Sequence, residues 1–301
     1  MLKKNNMFQT ASITVLLIGI HVSIAVGNSL DGTVWMYEHA SGARHFIAFY
    51  DGYHYLNGTR GDQEQPDSYW LKSVSPYFSN HNPDGSINYS AIALAEEHKI
   101  VYAILGIHPH HAKDIDESTY PILRQLTQHE KVCALGEIGL DFFRNLSPPE
   151  VQMKRFRELI ALAKELRLPI VVHDRNAHQE TLSILKEEKA FDVGGVIHCF
   201  SGDYDMAFAC LNMGFYISIP GTITFKNAKS LQELVGSIPL DRILLETDSP
   251  FLTPAPFRGK RNEPSYVRYV AEKIARIKKL DIEEVDNVTS QNVKNLFQIP
   301  T

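Results

Sequence analysis

Cysteine is scarce in this chain. The three present, Cys133, Cys199 and Cys210, are an odd number and far apart, so they build neither a disulfide framework nor a C-x-x-C zinc site. Cys133 and Cys199 lie inside apolar runs, where a thiol acts as a small buried hydrophobe. Positive charge is short as well. A net charge of −5 over 301 residues excludes a protein that coats nucleic acid through its overall field, and leaves phosphate binding to a local basic patch or a metal. No glycine-rich phosphate loop, internal repeat or low-complexity tract is present. Nor is there a long unbroken apolar run: Ile13 to Gly27 (ITVLLIGIHVSIAVG) is interrupted by His21 and glycines and is too short for a transmembrane span. Preceded by Lys3 and Lys4 and ending in the small residues Ala25 and Gly27, it has the order of a secretory signal. Residues 1–27 are therefore expected to be a signal peptide on an extracellular protein, with a cytoplasmic or nuclear location as the alternative. Residues 28–45 are expected to be a linker.

What the chain does have is alternation. Its 44% hydrophobic content is enough for one large barrel or two ordinary domains. Short apolar runs fall at Ile100–Leu105, Val132–Leu135, Pro169–Val172, Val193–Ile197, Phe215–Ile219 and Arg242–Leu245, with a further run over 46–50 and a weaker one over 69–74. Such runs, apolar on both faces, are what strands buried in a parallel sheet require. Helical patterns lie between them. One opens at Ser147 as N-cap with Pro148 in the first position, placing Val151, Phe156, Leu159, Ile160 and Ala163 on one stripe. Another runs from Tyr266 to Lys279, with Val267, Val270, Ala271, Ile274 and Ile277 on its apolar face. Strand–helix units of this number and length predict an α/β protein, a single (β/α)₈ TIM-type barrel over 46–301, with an open doubly wound sheet as the alternative.

The functional signal lies in the polar residues after each run. GIHPHH brings His108, His110 and His111; GEIGLDFFR brings Glu137 and Asp141; HDRNAH brings His173 and Arg175; HCFSG brings His198; ETDSPFLTP brings Glu246 and Asp248. In a parallel barrel the C-terminal strand ends share one face, so Glu137, His173, His198 and Asp248 would meet at one mouth. A single histidine or carboxylate after a strand is more often structural or solvated. Four of them on four strand ends are better explained by a bound divalent ion. Two carboxylates and two imidazoles suit Mg²⁺, Mn²⁺ or Zn²⁺, which can polarise a phosphoryl or carbonyl oxygen and acidify water.

In order, GIHPHHAKD, GEIGLDFFRNLSP, LPIVVHDRNAH, GGVIHCFSG, GFYISIPG, LLETDSPFLTP and RGKRNEP resemble the TatD family of metal-dependent deoxyribonucleases. The resemblance runs from about Asp51 to the C-terminus and is most specific from Ala91 onward. It implies one or two divalent ions, with Glu137 bridging, His173 and His198 on one ion, and Asp248 holding the other and assisting the attacking water. Glu137 and Asp248 are thus the expected catalytic residues. His108, Arg175 and the basic loop Arg258, Lys260 and Arg261 would meet the phosphodiester. The implied partner is DNA, as substrate of a monomer without a stable protein partner, and the implied mode of cleavage is exonucleolytic in the 3′ to 5′ sense.

The family opens with Asp-x-His-x-His-Leu at the end of its first strand, and here Asp51-Gly-Tyr-His-Tyr-Leu56 stands in that place. Tyr53 and Tyr55 fill the ligand positions, and His54 falls on the intervening one, expected to face away because strand side chains alternate, with a one-residue register shift or local bulge that turns His54 inward as the alternative. A phenol that titrates near 10 is a poor ligand at neutral pH, so the first metal position is expected to be impaired. Competing expectations are a metal-dependent amidohydrolase or deacylase, and a catalytically weakened nucleic-acid-binding relative.

Overall fold

The computed structural model describes residues 33–38, 44–49, 91, 92, 95, 96, 101–249, 251–262 and 264–299. The expectations for residues 1–27, for Asp51–Leu56 with Tyr53, His54 and Tyr55, and for a strand over 69–74 fall outside them.

Eight strands form one sheet in sequence order. They are β1 (Thr33–Glu38), β2 (Arg44–Phe49), β3 (Val101–Leu105), β4 (Val132–Asp141), β5 (Ile170–Arg175), β6 (Gly195–Ile197), β7 (Tyr216–Ile219) and β8 (Ile243–Leu245). β1 pairs antiparallel with β2, Thr33 opposite Phe49 and Glu38 opposite Arg44. From β2 to β8 every neighbouring pair is parallel. Two boundaries differ from the sequence expectation. The segment 28–45, expected as a linker, contains β1. And β4 extends over ten residues, past its apolar run and through Glu137 to Asp141, because those carboxylates find buried partners and need not turn out to water.

The helices are α1 (Thr119–Leu126), α2 (Pro149–Leu166), α3 (His178–Glu187), α4 (Tyr204–Asn212), α5 (Lys229–Ser237), α6 (Val267–Lys278) and α7 (Ile282–Phe297). Each buries an apolar stripe: Phe156, Leu159, Ile160, Leu162 and Ala163 from α2 and Val267, Val270, Ala271, Ile274 and Ala275 from α6. They cover buried strands from β3 to β8, so the core among the described residues is continuous from Ile104 and Leu105 to Leu244 and Leu245. Full burial of a side chain such as Phe156 stabilises by about 2–3 kcal/mol.

α2 starts one residue later than Ser147 suggested: its N-cap is Pro148 and its first residue Pro149. The Ser147 hydroxyl is engaged elsewhere, donating to His110 O at 2.8 Å and accepting from Lys113 N at 3.1 Å. Gln152, not Val151, takes the inward position. Its Oε1 accepts from Asp141 N at 2.8 Å, and its Nε2 donates to Ser147 O at 2.7 Å and Asp141 O at 3.2 Å. This amide fixes the end of β4 where the polar residues begin.

The sheet is curled. Neighbouring strands lie about 4.8 Å apart, so a flat sheet would hold β4 and β8 about 19 Å apart. Yet Glu137 of β4 and Asp248 beyond β8 both come within 4 Å of His198 Nε2, at 3.4 and 3.9 Å.

Candidate metal centre and substrate cleft

That curvature gathers the strand-end residues into a cleft of about 580 Å³. Glu137, 3% exposed, is its hub. His173 Nδ1 stands 2.5 Å from Glu137 Oε1, and His198 Nε2 stands 3.4 Å from the same oxygen. Asp248, the more open of the two carboxylates, reaches His198 Nε2 at 3.9 Å. The four residues singled out in the sequence therefore converge.

Carboxylates behind the imidazoles decide which nitrogen faces the cluster. Asp141 Oδ2 accepts from His173 Nε2 at 3.2 Å, turning Nδ1 to Glu137. Glu246 Oε2 accepts from His198 Nδ1 at 3.0 Å and from Ser218 Oγ at 2.5 Å, turning Nε2 inward. Tying the far nitrogen of a histidine to a carboxylate is how proteins aim and strengthen a metal-binding imidazole. Asp141 also accepts from His110 Nε2 at 2.8 Å. Asp141 and Glu246 stood in the sequence as polar residues after a strand; their role as anchors depends on contacts across strands that spacing alone does not give.

Backbone packing brings these groups close. Gly139 pairs with His173 across β4 and β5. It has φ +142°, and a Cβ there would lie 2.0 Å from His173 O. Glycine is required for the strands to approach this closely.

Electrostatics agree with the geometry. Burial would raise the Glu137 carboxyl, but the imidazoles of His198 and His173 outweigh it and hold it below the usual carboxylate range. Burial would lower the His173 imidazole, but Glu137 and Asp141 reverse this and raise it to about 10. Asp141 is held low by its hydrogen bonds from His110 and His173, against the upward push of burial. Such a pocket, with ionised carboxylates in a mostly buried site, demands a cation. Glu137 and Asp141 favour a proton on His173, which would meet that demand. The N/O donor set fits a divalent ion equally well, and ligand atoms of His108, Glu137 and His173 lie within 4.8 Å of one another.

Some expected contacts shift. His108 lines the cleft, but its Nε2 points at the cluster, 3.3 Å from His173 Nδ1 and 3.9 Å from Glu137 Oε1. Burial, then the neighbouring imidazole of His173, drives its pKa well down. It is a neutral imidazole here, so it brings no positive charge to a phosphate. Arg175 does line the cleft, together with Arg144, a residue of GLDFFR that the sequence pattern did not single out. Arg258, Lys260 and Arg261 are exposed and are not part of the cleft wall. Instead, Arg258 lies 4.3 Å from the centre of the Phe225 ring, and Lys260 lies 5.9 Å from that of Phe257. The loop turns at Gly259 with φ +87°, and Thr253 Oγ1 donates to Lys260 O at 2.5 Å.

Residues 70–298 match a family model described as TatD related DNase. Over 209 residues the chain is 51% identical to the uncharacterized metal-dependent hydrolase YabD of Bacillus subtilis (strain 168), a match covering 69% of this chain and 82% of that protein. It is 39% identical over 213 residues to the 3′-5′ ssDNA/RNA exonuclease TatD of Erwinia amylovora, covering 69% of this chain and 82% of that one. Among solved structures, that of YJJV, a TatD homolog from Escherichia coli K12, superposes with a TM-score of 0.67 at 31% identity, over 71% of this chain and 83% of its own.

Proposed function

This chain belongs to the TatD-related DNase family of metal-dependent hydrolases, and from that premise we propose that it is a nuclease hydrolysing DNA phosphodiester bonds from a 3′ end, built on a closed (β/α)₈ barrel. The observation that carries the reading is the union, in one cleft, of the Glu137, His173, His198 and Asp248 donors with the guanidinium groups of Arg144 and Arg175.

Glu137, His173, His198 and Asp248 would hold one or two divalent ions, with His108 Nε2 beside them. Ions bound there would polarise a phosphoryl oxygen and acidify the attacking water. The chain's own groups supply the rest. Arg175 and Arg144 neutralise and orient the diester oxygens, a task for which the planar guanidinium is suited. Asp248, the most open carboxylate of the set, faces the cleft and takes the proton released as water attacks. Asp141 and Glu246 hold the two imidazoles in their tautomers through each turnover.

A substrate panel tests this. The protein supplied with Mg²⁺, Mn²⁺ or Zn²⁺ should hydrolyse 5′-labelled single-stranded DNA, shortening it stepwise from the 3′ end, and leave amide and lactone substrates of the wider amidohydrolase class intact. Turnover of the amides with DNA untouched would replace the nuclease assignment with a deacylase.

A further inference from the structure

We propose that Phe143 and Phe251 form a base-stacking rim across the cleft, which makes the site select unpaired nucleotides next to the scissile phosphate. The proposal rests on the nuclease reading above and adds two specificity-determining residues to it.

Large aromatic rings left in water need a reason when they stand together at one opening. Phe143 is 59% exposed and Phe251 43% exposed. Phe143 follows the end of β4, while Phe251 follows the end of β8 and lines the cleft. β4 carries Glu137 and β8 leads into Asp248, so each ring follows, in sequence, a different carboxylate of the donor cluster.

Both are registered to the chemistry. The Arg175 guanidinium lies 4.0 Å from the centre of the Phe143 ring, so the residue that lines the cleft for phosphate also covers part of this ring. The exposure of Phe143 leaves room for a second flat group, giving a stack of guanidinium, phenyl and base. The loop carrying it is fixed at its root, where Arg144 N donates to Asp141 Oδ1 at 2.7 Å. Across the cleft, Phe251 N donates to Asp248 O at 2.8 Å, and Asn262 Nδ2 donates to Phe251 O at 2.6 Å. The Phe251 backbone is therefore tied to that of Asp248, the carboxylate that faces the cleft.

A nucleobase is the ligand that fits this pairing of exposed rings with guanidinium groups. Every base offers a π-face, so stacking tolerates any sequence. Inside a duplex those faces are already stacked on neighbouring bases and held by pairing, so an unpaired nucleotide is the one that can splay its base onto a phenylalanine at little cost. The rim thus explains how a site that reads phosphates through Arg144 and Arg175 can distinguish a single strand from a double one.

Binding and turnover of two single-stranded oligonucleotides separate the possibilities, one intact and one with abasic residues flanking the cleaved bond. For the wild-type protein, removal of the bases should weaken binding, read by fluorescence anisotropy, roughly tenfold, with KM rising more than kcat falls. Phe143→Ala and Phe251→Ala should each lose roughly tenfold on the intact strand and little on the abasic one, and Phe143→Trp should restore the difference. Equal losses on both strands would reduce the rings to structural supports and overturn the proposal. So would wild-type binding indifferent to the bases. Base-dependent binding without hydrolysis under any ion would uphold the rim and overturn the nuclease assignment instead.

Discussion

At the scale of single residues, His173 sets the behaviour of the site before any ion arrives. Its imidazole, raised to about 10 by Glu137 and Asp141 against the opposing effect of burial, carries a proton at neutral pH. An imidazolium carries a proton on each nitrogen, and the one on Nδ1 would face Glu137 Oε1, 2.5 Å away. An ion binding there must displace it, since a ligating imidazole offers a lone pair. Titration calorimetry of chelator-stripped protein at pH 7, in buffers of differing ionisation heat, should therefore show release of about one proton per ion bound at His173. Affinity should rise with pH until the imidazole titrates near 10. The fold obeys the opposite sign. A raised imidazole stabilises the metal-free protein fully below the ordinary histidine value near 6.5, and the contribution disappears as pH rises through about 10. Ion binding with no proton exchanged would place the ion away from His173 Nδ1.

At the scale of elements, the close pairing of β4 with β5 is the feature on which the donor set depends. Gly139→Ala would force a Cβ to within 2.0 Å of His173 O, in a backbone with φ +142°. The expected cost is about 1–3 kcal/mol in denaturant unfolding, with weakened ion binding because the strand carrying His173 must move. Gly236→Ala is the contrast. It lies within α5, where a new Cβ would meet Ile277 Cγ2 at an ordinary contact distance of 3.7 Å, and helix propensity favours alanine by up to about 1 kcal/mol. Equal destabilisation by the two changes would contradict a special role for the β4–β5 contact. The same elements show what the sequence made legible. The apolar runs located β3 and β5 to β8 because a doubly covered strand must be apolar on both faces. The run at Val132–Leu135 found only the first part of β4: Glu137 and Asp141 are buried by pairing with histidines from other segments, which no local pattern reveals. Ser147 is a good helix cap by type, but its hydroxyl was claimed by Lys113 N and His110 O from another loop.

At the scale of the whole molecule, a parallel sheet curls until residues from β4, β5, β6 and β8 share one cleft. The rule that strand ends gather functional groups on one face was enough to pick out Glu137, His173, His198 and Asp248 from the sequence. It could not tell which cations line the cleft, because loop direction is a tertiary property. Arg144 and Arg175 line the cleft, whereas Arg258, Lys260 and Arg261 do not. In the function proposed above, the converged donor set holds an ion that drives phosphodiester hydrolysis. Its most direct test is the rate of end-labelled single-strand cleavage by chelator-stripped protein on adding back Mn²⁺, with Glu137→Gln alongside. The wild-type protein should be inactive when stripped and recover with the ion. Glu137→Gln, correctly folded by its melting curve, should fall by more than about 100-fold, beyond what the loss of an outer partner to a metal ligand costs. Undiminished cleavage by the stripped protein or by Glu137→Gln would contradict the account.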